Sequence, residues 1–251
     1  MNPTIIAHRG ASKSAPENTM AAFERSYQQG IQGIETDIQL TKDNIPVLLH
    51  DETLKRTTGV KGYLNEYTYR ELQGLDAGSW FSDEFAGERI VSLESFLKWA
   101  RNKDLYLNLE LKNNKLDYKN LEDIVYETLK YHQLLNRTTI STFNSASIIR
   151  MRPFNKQVEI AYLTSKRKRN LVSFAKEMGA NAIHVKYRHL SHRIVRQCQK
   201  EHMAIRVYTV NNPTRMYKCF IRGCDSIITD FPVRGIEQYQ HFRTKRNNLK
   251  R

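Results

Sequence analysis

The first fifth of the chain carries most of the groups that can do chemistry. His8-Arg9-Gly10 follows the apolar run Thr4-Ile5-Ile6-Ala7, Pro16-Glu17-Asn18-Thr19 comes next, and Glu35-Thr36-Asp37 and His50-Asp51 follow. An arginine presents a fixed fork of donors to anionic oxygens, and a histidine moves a proton near neutral pH. Delivered side by side, the two suit a phosphate ester. A second histidine, His50, would let one imidazole take a proton while the other gives one, as cleavage of a phosphodiester requires.

Strand alternation places the carboxylates. In Ile34-Glu35-Thr36-Asp37-Ile38 the apolar residues share one face and Glu35 and Asp37 the other. In Leu107-Asn108-Leu109-Glu110-Leu111-Lys112 the leucines point one way and Asn108, Glu110 and Lys112 the other. Three carboxylates converging on a buried face repel one another, and a divalent cation relieves the repulsion. An all-oxygen set favours Mg²⁺ or Ca²⁺ over zinc. The competing reading pairs Glu35, Asp37 and Glu110 with nearby Arg or Lys. Their joint placement on neighbouring strands favours a metal.

The elements that must position these groups alternate between short apolar runs and helical patterns, which signals a parallel sheet built from strand–helix units. Eight strands are expected, at 4–8, 34–40, 105–111, 138–143, 159–163, 182–186, 205–210 and 226–229, the number that closes a (β/α)8 TIM barrel. Helices are expected over 19–29, 93–101, 120–131, 169–178, 192–201 and 213–221, with Asn18 or Thr19 capping the first and Gly30, Gly179 and Gly223 marking ends. Pro46–His50, separated from the second strand by Thr41-Lys42-Asp43-Asn44, reads as the return arm of a hairpin. From about 52 to 90 the sequence is rich in Gly, Tyr and charge and lacks periodicity, as an insertion or lid over the barrel would. No linker divides residues 1–251, so a single domain is expected.

The 251 residues suit one barrel of this kind, and 40% hydrophobic residues supply its core. No run reaches the roughly 20 apolar residues of a membrane span. Met1-Asn2-Pro3 leads directly into the first strand, which predicts a cytoplasmic protein. Cys198, Cys219 and Cys224 form no C-x-x-C pair and are expected to be unpaired. The excess of 40 Lys and Arg over 26 Asp and Glu gives a net charge of +14. Much of it lies in Lys166-Arg167-Lys168-Arg169 and in a basic tail over about 241–251. The bland reading is solvated surface and a frayed terminus; the sharper one is attraction to an anionic membrane or polyanion. No nucleic-acid partner is expected, and the oligomeric state is not readable.

The chain resembles the glycerophosphodiester phosphodiesterases. His8-Arg9-Gly10, Glu17-Asn18-Thr19, Glu35-Thr36-Asp37, His50-Asp51, Glu110-Leu111-Lys112, Val207-Tyr208-Thr209-Val210-Asn211 and Ile228-Thr229-Asp230-Phe231-Pro232 occur in that family's order and spacing. The resemblance implies metal-dependent hydrolysis of glycerophosphodiesters to glycerol 3-phosphate and an alcohol, through a cyclic phosphate formed by the substrate's own hydroxyl. It implies that Glu35, Asp37 and Glu110 bind one divalent cation, that His8 and His50 are the acid and base, with His50 favoured as the acid, and that Arg9 and Lys112 hold the phosphate. Glu17 is expected to orient Arg9, and Asn18 and Asp51 to support the site. Tyr208 stands where the family usually has tryptophan, so the alcohol end of the pocket is expected to differ. The alternative is a phospholipase D-type enzyme using the same barrel site on lysophospholipids or sphingolipids.

Overall fold

A computed structural model describes residues 3–248. The strands are β1 Thr4–His8, β2 Gly33–Leu40, β3 Pro46–Leu48, β4 Tyr106–Leu111, β5 Thr138–Thr142, β6 Glu159–Thr164, β7 Ala182–Lys186, β8 Ala204–Tyr208 and β9 Ser226–Thr229. The helices are α1 Met20–Gln28, α2 Lys55–Thr58, α3 Tyr69–Leu72, α4 Leu93–Ala100, α5 Leu121–Tyr131, α6 Ser145–Met151, α7 Leu171–Met178, α8 His192–Lys200, α9 Pro213–Arg222 and α10 Pro232–Asn248. All the strands except β3 pair in parallel, and β1 bonds to both β9 and β2, so the ring closes. β3 hangs antiparallel on β2, the hairpin that the turn residues predict. The architecture is the expected (β/α)8 barrel.

Helix limits follow local chemistry. Thr19, not Asn18, caps α1 by accepting from Ala22 N, and Asn212 caps α9 by accepting from Arg215 N, with Pro213 opening the helix. Gly179 and Gly223 end α7 and α9 in the left-handed conformation. The short α6, between β5 and β6, is not among the expected helices; its seven residues are too few to show a clear period, and Asn144 starts it by capping Ala146 and Ser147. The expected frayed tail is also corrected. α10 continues to Asn248 because Tyr239 and Phe242 pack as a pair against Phe220. Lys250 and Arg251 lie outside the described residues. Gly235 lets this helix lie close on β1, since a Cβ there would stand 2.8 Å from Ile5.

The stretch from 52 to 90 runs between β3 and α4 and contains α2 and α3. It has its own small apolar cluster, in which Leu54, Leu64 and Leu72 pack with Val47 and Ile90. All three cysteines are buried and unpaired, as expected. Among the described residues no helix is long and apolar enough to cross a membrane.

The inside of the ring is polar along much of its length. At its base Arg206 pairs with Glu159 at 2.7 Å and donates to His184 Nε2 at 3.3 Å, while Tyr106 and Thr139 bond to each other and to Glu159. His184 is fully buried, and burial followed by the Arg206 charge holds its pKa well below the ordinary value. Only the unfolded chain takes up this proton as pH drops below about 6.5, so this contribution is complete above that pH and is lost on acidification. Between pH 7.5 and 5.5 the expected loss is up to about 1.4 kcal/mol. Urea unfolding of His184→Gln over the same range should lack it; an identical pH slope in both proteins would refute the assignment.

Candidate active site

Strand register assembles the acidic cluster. β1 and β2 align His8 with Glu35, while β2 and β4 align Asp37 with Glu110. Oxygens from Glu35, Asp37 and Glu110 all lie within 4.8 Å of one another at the carboxyl ends of the strands, the end at which barrel enzymes place their chemistry. Asn18 reinforces the arrangement. Its amide donates to Asp37 Oδ2 at 3.0 Å and its oxygen accepts from Thr36 at 2.8 Å. That geometry needs a left-handed backbone at Asn18, with φ of 58°.

Two cations serve these acids. Arg9 Nε stands 3.1 Å from Asp37, and Lys112 Nζ stands 3.0 Å from Glu110 and 3.6 Å from Asp37. The charge pairing that the sequence set against a metal is thus present in the same cluster of acids that could hold one. Burial alone would raise the Asp37 pKa, but Arg9 and Lys112 outweigh it and hold the group below the usual carboxylate range. Glu35 goes the other way. Burial and then the Asp37 charge push it up to about 8, despite His8 and Arg9 nearby. Glu110 is also raised, by burial opposed by Lys112.

The Arg9 main chain is part of the construction. With φ of 58°, its N–H donates to both the carbonyl and the side chain of Glu35, at 2.9 and 3.0 Å. Gly10 follows at φ of 79°, where a Cβ would stand 2.8 Å from the Ala22 backbone. Glycine is thus required for α1 to pack beneath the His-Arg-Gly turn.

Both candidate imidazoles are fixed through Nδ1. His8 Nδ1 lies 2.6 Å from Asp230, and His50 Nδ1 lies 2.7 Å from Asp51. A carboxylate only accepts, so each Nδ1 carries hydrogen and each Nε2 is left for chemistry. His8 Nε2 stands 4.0 Å from Glu35. Burial opposes protonation of His8, but Glu35 and Asp230 together raise its pKa.

The partners of these anchors were only partly visible in the sequence. Asn211 donates to Asp230 at 2.6 Å and accepts from the Asp230 N–H. Arg56 donates to Asp51 at 2.6 Å and grips both Glu17 oxygens at 2.7 and 2.9 Å. Glu17 in turn accepts from Arg9 at 2.8 Å. With Arg56 its strongest counter-influence, Asp51 falls to about 2 although burial opposes the shift. Gln39 completes the His50 corner: its amide donates to the carbonyls of Leu49 and Asp51, both at 2.7 Å, and its oxygen accepts from Tyr118 at 2.9 Å. Alternation along β2 puts Gln39 on the face of Glu35 and Asp37, so a signal for it existed. Arg56, in the aperiodic stretch, offered none. Tyr208 lies at the end of β8, edge-on to Phe143, and its hydroxyl is buried without a partner.

A sequence model of the glycerophosphoryl diester phosphodiesterase family matches residues 8–234. A glycerophosphodiester phosphodiesterase of Caldanaerobacter subterraneus subsp. tengcongensis is 36% identical over 232 residues, covering 92% of this chain and 96% of its own length. One from Bacillus altitudinis is 34% identical over 236 residues, with 93% and 96% covered. Among solved structures, an Oleispira antarctica phosphodiesterase in complex with the product sn-glycerol-3-phosphate superposes with a TM-score of 0.86 at 28% identity, covering 95% of this chain and 97% of that one. Ordered motifs, closed barrel and matching relatives agree: the chain belongs to the glycerophosphoryl diester phosphodiesterase family.

Proposed function

We propose that this phosphodiesterase hydrolyses glycerophosphodiesters to glycerol 3-phosphate and an alcohol with His8 and His50 as its proton-transfer pair. The observation that carries the assignment is the convergence of Glu35, Asp37 and Glu110 beside two imidazoles whose Nδ1 atoms are both tied to carboxylates.

The acidic cluster fits a divalent cation. Its three donors are hard oxygens, and Asp37 Oδ1 is buried without a hydrogen bond. Mg²⁺ or Ca²⁺ held by Glu35, Asp37 and Glu110 would supply charge neutralisation at the non-bridging phosphate oxygens. Arg9 and Lys112, already facing Asp37, carry the two permanent positive charges best placed to grip the same phosphate. One imidazole Nε2 removes the proton of the substrate's own attacking hydroxyl and the other protonates the departing alcohol, and water then opens the resulting cyclic phosphate to glycerol 3-phosphate. We assign the acid role to His50, the more exposed of the two at 33% against 20% for His8, because the alcohol must leave toward solvent. Asp230 and Asp51 stabilise each imidazolium as it forms. Arg56, reaching out of the 52–90 stretch, makes that insertion a wall of the site. Tyr208 lines the alcohol end. The whole chain serves as one catalytic domain, which we place in the cytoplasm.

Release of glycerol 3-phosphate from glycerophosphocholine, measured in a coupled assay, tests the reading. Each of His8→Ala and His50→Ala should lower kcat by about 10²–10⁴-fold; near-normal turnover by both variants would reject the pair. Exhaustive chelation should abolish activity, with Mg²⁺ or Ca²⁺ restoring it. Asp230→Asn can present its amide to His8 Nδ1 and reverse the tautomer. A fall in kcat on the order of 10²–10⁴ with little change in KM is expected, with loss of the Nδ1–H form in ¹⁵N spectra as the readout that a purely structural role would not give.

A further inference from the structure

Between Thr164 and Lys200 the chain carries ten Lys and Arg and a single acid, Glu177. Many of these cations gather around one groove of about 660 Å³, walled by the β6–α7 and β7–α8 connections and by the first turns of α7 and α8. Lys166, Arg167, Lys168, Arg169, Arg188 and Arg193 line it. Among the described residues none of the six forms an ion pair, whereas Lys176 on the same stretch pairs with Glu201 at 2.6 Å. Arg188 is held in place, donating to the Ser165 carbonyl at 2.8 Å. A concave cluster of like charges without counterions is costly to keep and suits a polyanion.

The groove opens on the rim that carries the catalytic groups, because both its loops follow the carboxyl ends of parallel strands. In the ring, β6 and β7 stand three or four strands round from β1 and β2. Tyr208 bridges the interval. It aligns with Lys186 across β7 and β8, and its unpartnered hydroxyl feels both the Glu110 carboxylate and the Arg188 guanidinium. A departing alcohol running from His8 and His50 past Tyr208 would meet Arg188.

We propose that the groove binds further phosphates on the leaving alcohol, so that this chain prefers glycerophosphodiesters whose alcohol continues as a phosphate-bearing chain. The inference rests on the hydrolase reading above and deepens it. Arg188, the groove cation whose charge acts on Tyr208, takes the first additional phosphate; the run Lys166–Arg169 takes those beyond it.

The probes are glycerophosphoglycerol and its extensions to two, three and four glycerol phosphate units. For the native enzyme kcat/KM should rise at least about tenfold along the series, chiefly through KM, and the gain should shrink in 0.5 M NaCl as screening shortens electrostatic reach. The triple variant Arg167→Glu, Arg169→Glu, Arg188→Gln should lose the gain while turning over glycerophosphoglycerol normally; its changes are on exposed side chains. A flat series in the native enzyme, or a gain that survives in the variant, overturns the proposal. So does sedimentation of the native enzyme, but not the variant, with phosphatidylglycerol vesicles when the series is flat, which would give the groove to a lipid surface. If glycerophosphoglycerol itself is not hydrolysed, the hydrolase reading fails; calorimetric binding of the four-unit oligomer, lost in the variant, then still decides whether the groove holds phosphates.

Discussion

The constraint on which everything else depends is the crowding of three carboxylates in the barrel mouth. At the spacing of 4.8 Å or less seen among Glu35, Asp37 and Glu110, each pair of full negative charges repels by about 3.5 kcal/mol or more at an effective dielectric near 20. Three such pairs rival the whole stability of an ordinary domain. The fold answers unevenly. Arg9 and Lys112 both turn to Asp37, which stays ionised, while Glu35 and Glu110 are pushed toward their neutral forms. A cation between the three would lift that pressure, and a protein with no use for one would not gain by keeping all three acids there.

The same need for order explains why so few groups near the site stand alone. A chain of charges runs from Asp37 through Arg9, Glu17 and Arg56 to Asp51 and His50. It joins the β1 turn, the aperiodic stretch and the β3 corner into one unit. On the other side, Asn211 and Asp230 tie His8 to the last strand. Each imidazole is therefore oriented by an anion that is itself held by a second group. Orientation through partly buried, charge-assisted bonds is stiff, which is what the proposed proton-transfer pair would require.

Much of this was legible in the sequence because strand alternation is a strict rule. Glu35, Asp37, Glu110 and Lys112 were placed inward by period alone, and the barrel count followed from eight apolar runs. What alternation does not carry is contact between distant segments. Asp230 belongs to a recognisable motif, but its grip on His8 spans 222 residues and leaves no local trace. Arg56 belongs to a short helix without period. The tail misleads for a related reason: its charges suggest fraying, but Tyr239 and Phe242 lie three apart on one helical face and find Phe220. Only the apolar partner, not the composition, decides whether such a basic helix stays formed.

Charge at the level of the whole molecule closes the account of substrate capture. Around the site, Glu17, Glu35, Asp37, Asp51, Glu110 and Asp230 outnumber the permanent cations Arg9, Arg56 and Lys112 by three. With all six acids ionised, a mouth of that sign would repel an anionic phosphodiester, and a divalent cation held there would remove most but not all of the deficit. The net charge of +14 must then sit elsewhere, and it does: the rim opposite the acids carries the unpaired cations of the 164–200 stretch. A long-range positive field draws the anion in, while in the proposed site the last few ångströms would belong to Arg9, Lys112 and a cation held by the three acids. Separating the two tasks lets the catalytic groups keep the acids that orient them, because attraction at a distance does not depend on the sign of the site itself.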